Sequence, residues 1–201
     1  NAADDAFQPA SLEEREGARR ALAEGRPYFI FVGSLHPRKN VEGLMSAFES
    51  YRALGGSWDL VVVGVAMWSD DLPALSAEMR THVHFVGRLN NADLVRAVAG
   101  ADGLVFVPWF EGFGIPVVEA MACGVPVISS NVTSLPEVCG DAAFALVDPA
   151  QPGAIAHEMH RLELDSEAAQ SASQRGMSRA KTYSWAATGA KLNKALNTLL
   201  T

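Results

Sequence analysis

Residues 103–130, GLVFVPWFEGFGIPVVEAMACGVPVISS, read as a strand, a glycine-rich loop, a helix and a second strand in unbroken succession. The run 103-GLVFV-107 is apolar almost throughout, as in a strand covered on both faces, and 126-PVISS-130 is the next such run. Between them the spacing predicts a helix over about 116–123. Pro116 suits its first turn because it has no N–H to leave unpaired there. Two buried strands joined through a helix are the unit of a parallel sheet.

The alternation continues on both sides. Strand-like runs 28-YFIFVG-33, 59-DLVVVG-64, 83-VHFVG-87 and 143-AFALV-147 stand between segments with helical spacing, at about 11–24, 40–54, 70–79, 91–99 and 152–163. Within 40-NVEGLMSAFESYRAL-54, Val41, Leu44, Met45 and Phe48 recur at helical intervals, and Asn40 is the expected N-cap. The expected fold is therefore α/β, a Rossmann-like doubly wound parallel sheet. Residues 1–10 read as a linker, 11–165 as the sheet domain and 166–201 as two further helices. Ser184 is expected to cap the last helix, with Leu192, Leu196 and Leu199 on one face. In such sheets ligands sit outside the carboxyl ends of the strands, where strand order reverses, so the loops after residues 33, 64, 87 and 107 are the places to search.

A length of 201 residues suits one domain with a sizeable core. The net charge is −7 and no basic cluster stands out, which argues against a nucleic-acid partner. Cys123 and Cys139 have no metal-ligand spacing and read as reduced thiols of a cytoplasmic protein. The apolar runs 59-DLVVVGVAMW-68 and 102-DGLVFVPWF-110 are too short to span a bilayer. No G-x-G-x-x-G follows the first strand and no Walker sequence occurs, so hydride transfer and ATP hydrolysis lose support. His157 and His160 read as a solvated helix face, and His82 and His84 as the polar start of a strand. His36, in the loop after the first strand, is the one histidine considered for function. Asp70 and Asp71 are adjacent rather than alternating, so no metal site is expected.

The chemistry concentrates in two stretches. In 108-PWFEGFGIPVVEA-120 the helix start near Ile115 offers unpaired N–H groups and partial positive charge, and Gly112 and Gly114 let an anion approach closely. Glu111 and Glu119 would repel that anion unless they face hydroxyls, one those of a sugar and the other those of a ribose. Considered singly, Glu111 reads as a loop-surface residue and Glu119 as a helix-terminus charge. In 33-GSLHPRKN-40, Arg38 and Lys39 stand at a strand's carboxyl end, where they could pair phosphate charge. The alternative is a solvated basic turn.

The blocks GSLHPRKN, HVHFVGRL, EGFGIPVVEAMACGVPVISS and SLPEVCGDAAFALVDP, in this order, resemble the signature blocks of glycosyltransferase family 4 across residues 28–165. The resemblance implies the C-terminal lobe of a two-lobed GT-B enzyme that transfers a hexose from a nucleotide sugar with retention, without a cofactor. It implies that Glu111 contacts the sugar hydroxyls and that the backbone of Gly112, Phe113, Gly114 and Ile115 holds sugar and diphosphate. Glu119 would bind the ribose. Lys39, with Arg38 and the first-loop residues Gly33 and Ser34, would serve the diphosphate, and Gly87, Arg88 and Leu89 would lie against the base. Lys39 and Glu111 are the catalytic candidates. The P-R-K-N and S-L-P-E-V variants resemble mannosyltransferases of polysaccharide and lipopolysaccharide assembly, which favours GDP-mannose as donor, with a UDP-sugar second. The implied partners are an upstream acceptor-binding lobe, which would carry the enzyme to the inner membrane face, and a saccharide or lipid-linked acceptor. Ser34 stands where the family often has Arg, and Trp109 where it often has a small Ser. A GT-B sugar-nucleotide epimerase and a non-catalytic nucleotide-binding module are the alternatives.

Overall fold

A computed structural model of the chain describes residues 1–65 and 75–199. Its sheet has six strands: β1 (Tyr28–Val32), β2 (Asp59–Val63), β3 (Val83–Gly87), β4 (Gly103–Phe106), β5 (Val127–Ser130) and β6 (Ala145–Val147). All neighbours are parallel, and the order is β3-β2-β1-β4-β5-β6. The order reverses between β1 and β4, so the loops leaving these two strands face each other across the switch-point crevice.

The α-helices are α1 (Leu12–Leu22), α2 (Val41–Ala53), α3 (Asn91–Ala99), α4 (Ile115–Ala122), α5 (Leu135–Cys139), α6 (Pro152–Leu164), α7 (Ser166–Ala180) and α8 (Trp185–Leu199). α2 packs on α6, α1 on α3, and α4 on both α3 and α7. The strands are correspondingly buried: Tyr28 to Phe31, Leu60 to Val62 and Leu104 to Phe106 have no exposed surface. Each such aliphatic or aromatic side chain contributes about 1.5–3 kcal/mol through burial. Both cysteines are buried and free, and burial pushes their thiols up to about 12.

Polar anchors fix the edges of this core. Ser11 and Glu14 close a reciprocal capping box at the start of α1, with the Ser11 N–H donating to Glu14 at 2.8 Å. Asp102, just before β4, accepts from Arg15 at 2.9 Å and Arg19 at 2.6 Å, which ties α1 to the sheet. At the opposite end from the switch-point loops, Asp59 is fully buried. It bonds His84 at 2.6 Å, Arg26 at 2.8 Å and His82 at 2.9 Å. Burial pushes its carboxyl up, but the bonds from His84, His82 and Arg26 outweigh that and leave it below the ordinary value. His82 and His84 thus share a buried carboxylate, beyond the polar strand start expected of them.

Other departures from the sequence reading are local. Asn40 does precede α2, but in the left-handed region (φ 58°) and with no cap bond from its side chain. The side-chain amide instead donates to the carbonyls of Val107 and Pro149, each at 3.0 Å. Five-residue α5 and the 3-10 turns at Pro37–Lys39 and Met79–Thr81 were not expected, being too short to show a period. Residues 66–74 lie outside the described residues, with Asp70, Asp71 and the first half of the helix expected over 70–79; residues 75–78 are not helical.

Segment 1–10 has neither helix nor strand, yet Phe7 is buried in the core. α7 turns its small residues Ala172, Gly176 and Ala180 inward, against α4. In α8, Ser184 caps Ala187 N–H at 3.0 Å, while Trp185, Leu192 and Leu196 are 66%, 59% and 48% exposed. Among the described residues no helix is long and apolar enough to cross a membrane.

Candidate functional site

The carboxyl ends of β1, β2 and β3 are tied together through glycine backbone. Gly33 N–H donates to Val63 at 3.0 Å, and Gly64 N–H to Gly87 at 2.8 Å. Gly64 has φ 145°, and a Cβ there would lie 1.8 Å from the Gly33 carbonyl oxygen. Beyond Gly33 and Ser34 the chain enters the 3-10 turn. The His36 ring caps it by accepting the Arg38 N–H at 3.1 Å, which gives that histidine a structural task. The turn aims Lys39 inward: the residue is 8% exposed and its Nζ lies 5.0 Å from the Phe106 ring centroid.

The loop after β4 meets this turn. Trp109 N–H donates to the Arg38 carbonyl at 2.9 Å, and Arg38 Nη1 donates to the Phe110 carbonyl at 3.2 Å. The Glu111 carboxylate accepts from both cations at one oxygen, from Lys39 Nζ and from Arg38 Nη1 at 3.2 Å. Lys39 and Arg38, from one strand end, therefore converge on Glu111 from the neighbouring one. The sequence named all three, and the structure brings them together.

The α4 start follows directly. Gly114 occupies the N-cap with φ 99°, and a Cβ there would stand 2.6 Å from Leu135 Cδ2. No side chain caps the helix, and Ile115 and Pro116 open it. A Cβ at Gly112 would meet nothing within 4 Å, so the approach to the helix start is open at that point. Backbone N–H groups at an uncapped helix start favour an anion.

Sequence reasoning gave no role to the residues that hold this loop. Thr133 Oγ1 accepts the Glu111 N–H at 3.2 Å, and Ser134 Oγ contacts the carbonyls of Glu111 at 2.9 Å and Phe113 at 3.2 Å. Ser130 Oγ donates to Pro108 at 2.8 Å. Thr133 carries a positive φ of 56°, an uncommon conformation for a β-branched residue. These hydroxyls sit at the carboxyl end of β5, so their position one strand beyond the acidic loop was the available signal.

Two other candidates stand apart from this cluster. Gly87 ends edge strand β3, separated from β1 by β2, and Arg88 and Leu89 follow it; Gly87 has φ 69° and Leu89 packs on the core. Glu119 lies past the first turn of α4 and faces the N-terminal segment. Burial, with the Asp4 carboxylate adding to it, pushes the Glu119 carboxyl up to about 7. The folded state therefore holds this proton more tightly than the unfolded chain. The associated stability is fully present below about pH 4.5 and lost as pH rises to about 7. Denaturant unfolding at about pH 5 and about pH 8 checks this: Glu119→Gln should reduce the difference in stability between the two conditions. An unchanged difference would place the titration elsewhere.

The six-stranded parallel sheet with its flanking helices is the Rossmann-like fold of GT-B glycosyltransferases. The family described as "Glycosyl transferases group 1" matches residues 13–179, and the chain belongs to it. It is 39% identical over 163 residues to the O-antigen chain mannosyltransferase B of Escherichia coli, covering 79% of this chain and 42% of that protein. It is 30% identical over 152 residues to the GDP-mannose-dependent monoacylated alpha-(1-6)-phosphatidylinositol monomannoside mannosyltransferase of Corynebacterium glutamicum, covering 71% of this chain and 40% of that one. Among solved structures, the C-terminal domain of a group 1 family glycosyl transferase (LpcC) from Francisella tularensis superposes with a TM-score of 0.74. The match covers 90% of this chain and 97% of that domain at 22% identity. The chain thus spans about two-fifths of the length of these two curated relatives.

Proposed function

We propose that the chain is the C-terminal, donor-binding lobe of a retaining hexosyltransferase that takes mannose from GDP-mannose in polysaccharide or lipopolysaccharide assembly. The observation that carries this reading is the convergence of Lys39 and Arg38 on Glu111 beside the glycine-started α4, across the switch point. Lys39, Arg38 and the α4 N–H groups take the diphosphate and balance the charge that builds on it as the glycosidic bond to the leaving group breaks. Glu111 orients the sugar through its hydroxyls. Glu119 takes the ribose, and Gly87, Arg88 and Leu89 take the base. The donor choice is supported by the similarity to the GDP-mannose-dependent enzyme of Corynebacterium glutamicum, and the assembly role by that to the O-antigen chain mannosyltransferase of Escherichia coli.

In this reading an upstream lobe binds the acceptor, and the exposed face of α8 packs against it, at the cytoplasmic side of the membrane. The test is transfer of labelled mannose by the full-length protein. Label moving from GDP-mannose to a saccharide or lipid-linked acceptor is expected. Free epimerised sugar, or binding with no turnover, would give the chain to the epimerase or non-catalytic alternative.

A further inference from the structure

Both cations assigned to the diphosphate are engaged by an anion of the protein itself. Lys39 Nζ and Arg38 Nη1 share Glu111 Oε1, and the side chains of Lys39 and Glu111 are only 10% and 12% exposed. A pair so shielded attracts more strongly than one at the surface, and neither charge can be left alone without cost. The Glu111 backbone is held through its N–H by Thr133 and through its carbonyl by Ser134, which keeps its carboxylate beside the two cations. A diphosphate at the start of α4 needs the same two cations, and the two anions repel each other.

We propose that Glu111 is an internal competitor for the diphosphate, and that this competition makes the site select a sugar-bearing donor over the bare nucleoside diphosphate. The inference rests on the donor-lobe reading above. When a nucleotide sugar enters, the diphosphate takes Lys39 and Arg38, and the sugar hydroxyls donate to the carboxylate and compensate it. A nucleoside diphosphate draws away the same cations but offers Glu111 no donor. After transfer the carboxylate reclaims Lys39 and Arg38 and drives the product out, a step that sets turnover in many enzymes.

The experiment is calorimetry of inorganic pyrophosphate, GDP, UDP and GDP-mannose with the unaltered chain, Glu111→Gln, Glu111→Ala and the double variant Lys39→Met/Glu111→Gln. Removing the competitor should tighten binding of pyrophosphate and of the preferred nucleoside diphosphate about tenfold in both single variants. GDP-mannose should gain nothing, so the preference for donor over product collapses. The double variant should lose the gain, which separates release of Lys39 from a general change in charge. Equal or weaker diphosphate binding by both single variants overturns the competition and leaves the donor reading standing. If neither GDP nor UDP binds any of these chains, the donor reading falls and the competition with it.

Discussion

Replacing Lys39 with methionine is expected to weaken nucleoside diphosphate binding by about 2–3 kcal/mol, roughly thirty- to a hundred-and-fiftyfold, and to leave binding of the nucleoside alone unchanged. Methionine is unbranched and only one atom shorter than lysine, so most of the packing beside the Phe106 ring survives while the charge goes. What is lost is the better shielded of the two cations, with a side chain 10% exposed against 44% for that of Arg38. The Glu111 carboxylate then loses its shielded partner and keeps the 3.2 Å contact with Arg38, and the folded chain should also be less stable by about 1–2 kcal/mol. Calorimetry with nucleoside and diphosphate in parallel separates the two effects. An equal loss for both ligands would mean that Lys39 shapes the fold of the loop rather than meeting phosphate.

The largest stability effect is expected from Gly64→Ala, at about 3–5 kcal/mol in denaturant unfolding. The new Cβ would fall 1.8 Å from the carbonyl oxygen of Gly33. That atom belongs to backbone held by the Gly33–Val63 bond at 3.0 Å, so no side-chain rotation can relieve the contact. The φ of 145° adds strain that only glycine avoids. Relief requires β1 and β2 to part at their carboxyl ends, which would also displace Ser34 to Lys39 and weaken diphosphate binding. A loss below about 1 kcal/mol would show that the two strand ends separate easily, and the close approach of Gly64 to Gly33 would then have little energetic standing.

The sheet was legible because β1, β2 and β4 are apolar on both faces, and that pattern belongs to strands covered by helices on either side. The α4 start was legible because Gly112, Gly114 and Pro116 each have a local backbone reason to stand where they do. What the sequence left hidden is long-range pairing. Asn40 precedes a helix, as N-caps do, but its amide is claimed by the carbonyls of Val107 and Pro149, which only the folded chain brings near. His82 and His84 looked like polar strand residues because their partner Asp59 is more than twenty positions away. The meeting of Lys39 with Glu111 lay between these cases. Each residue was identifiable at the end of a strand, and the pairing required β1 and β4 to be neighbours.

Calorimetric titration of the chain with GDP, UDP and ADP bears on the donor-lobe reading without an acceptor or the rest of the enzyme. One saturable site for one of the three, weakened by Lys39→Met, is the expected result, with GDP the favoured ligand. Absence of binding by all three at millimolar concentration would contradict the assignment of this crevice to a nucleotide-sugar donor.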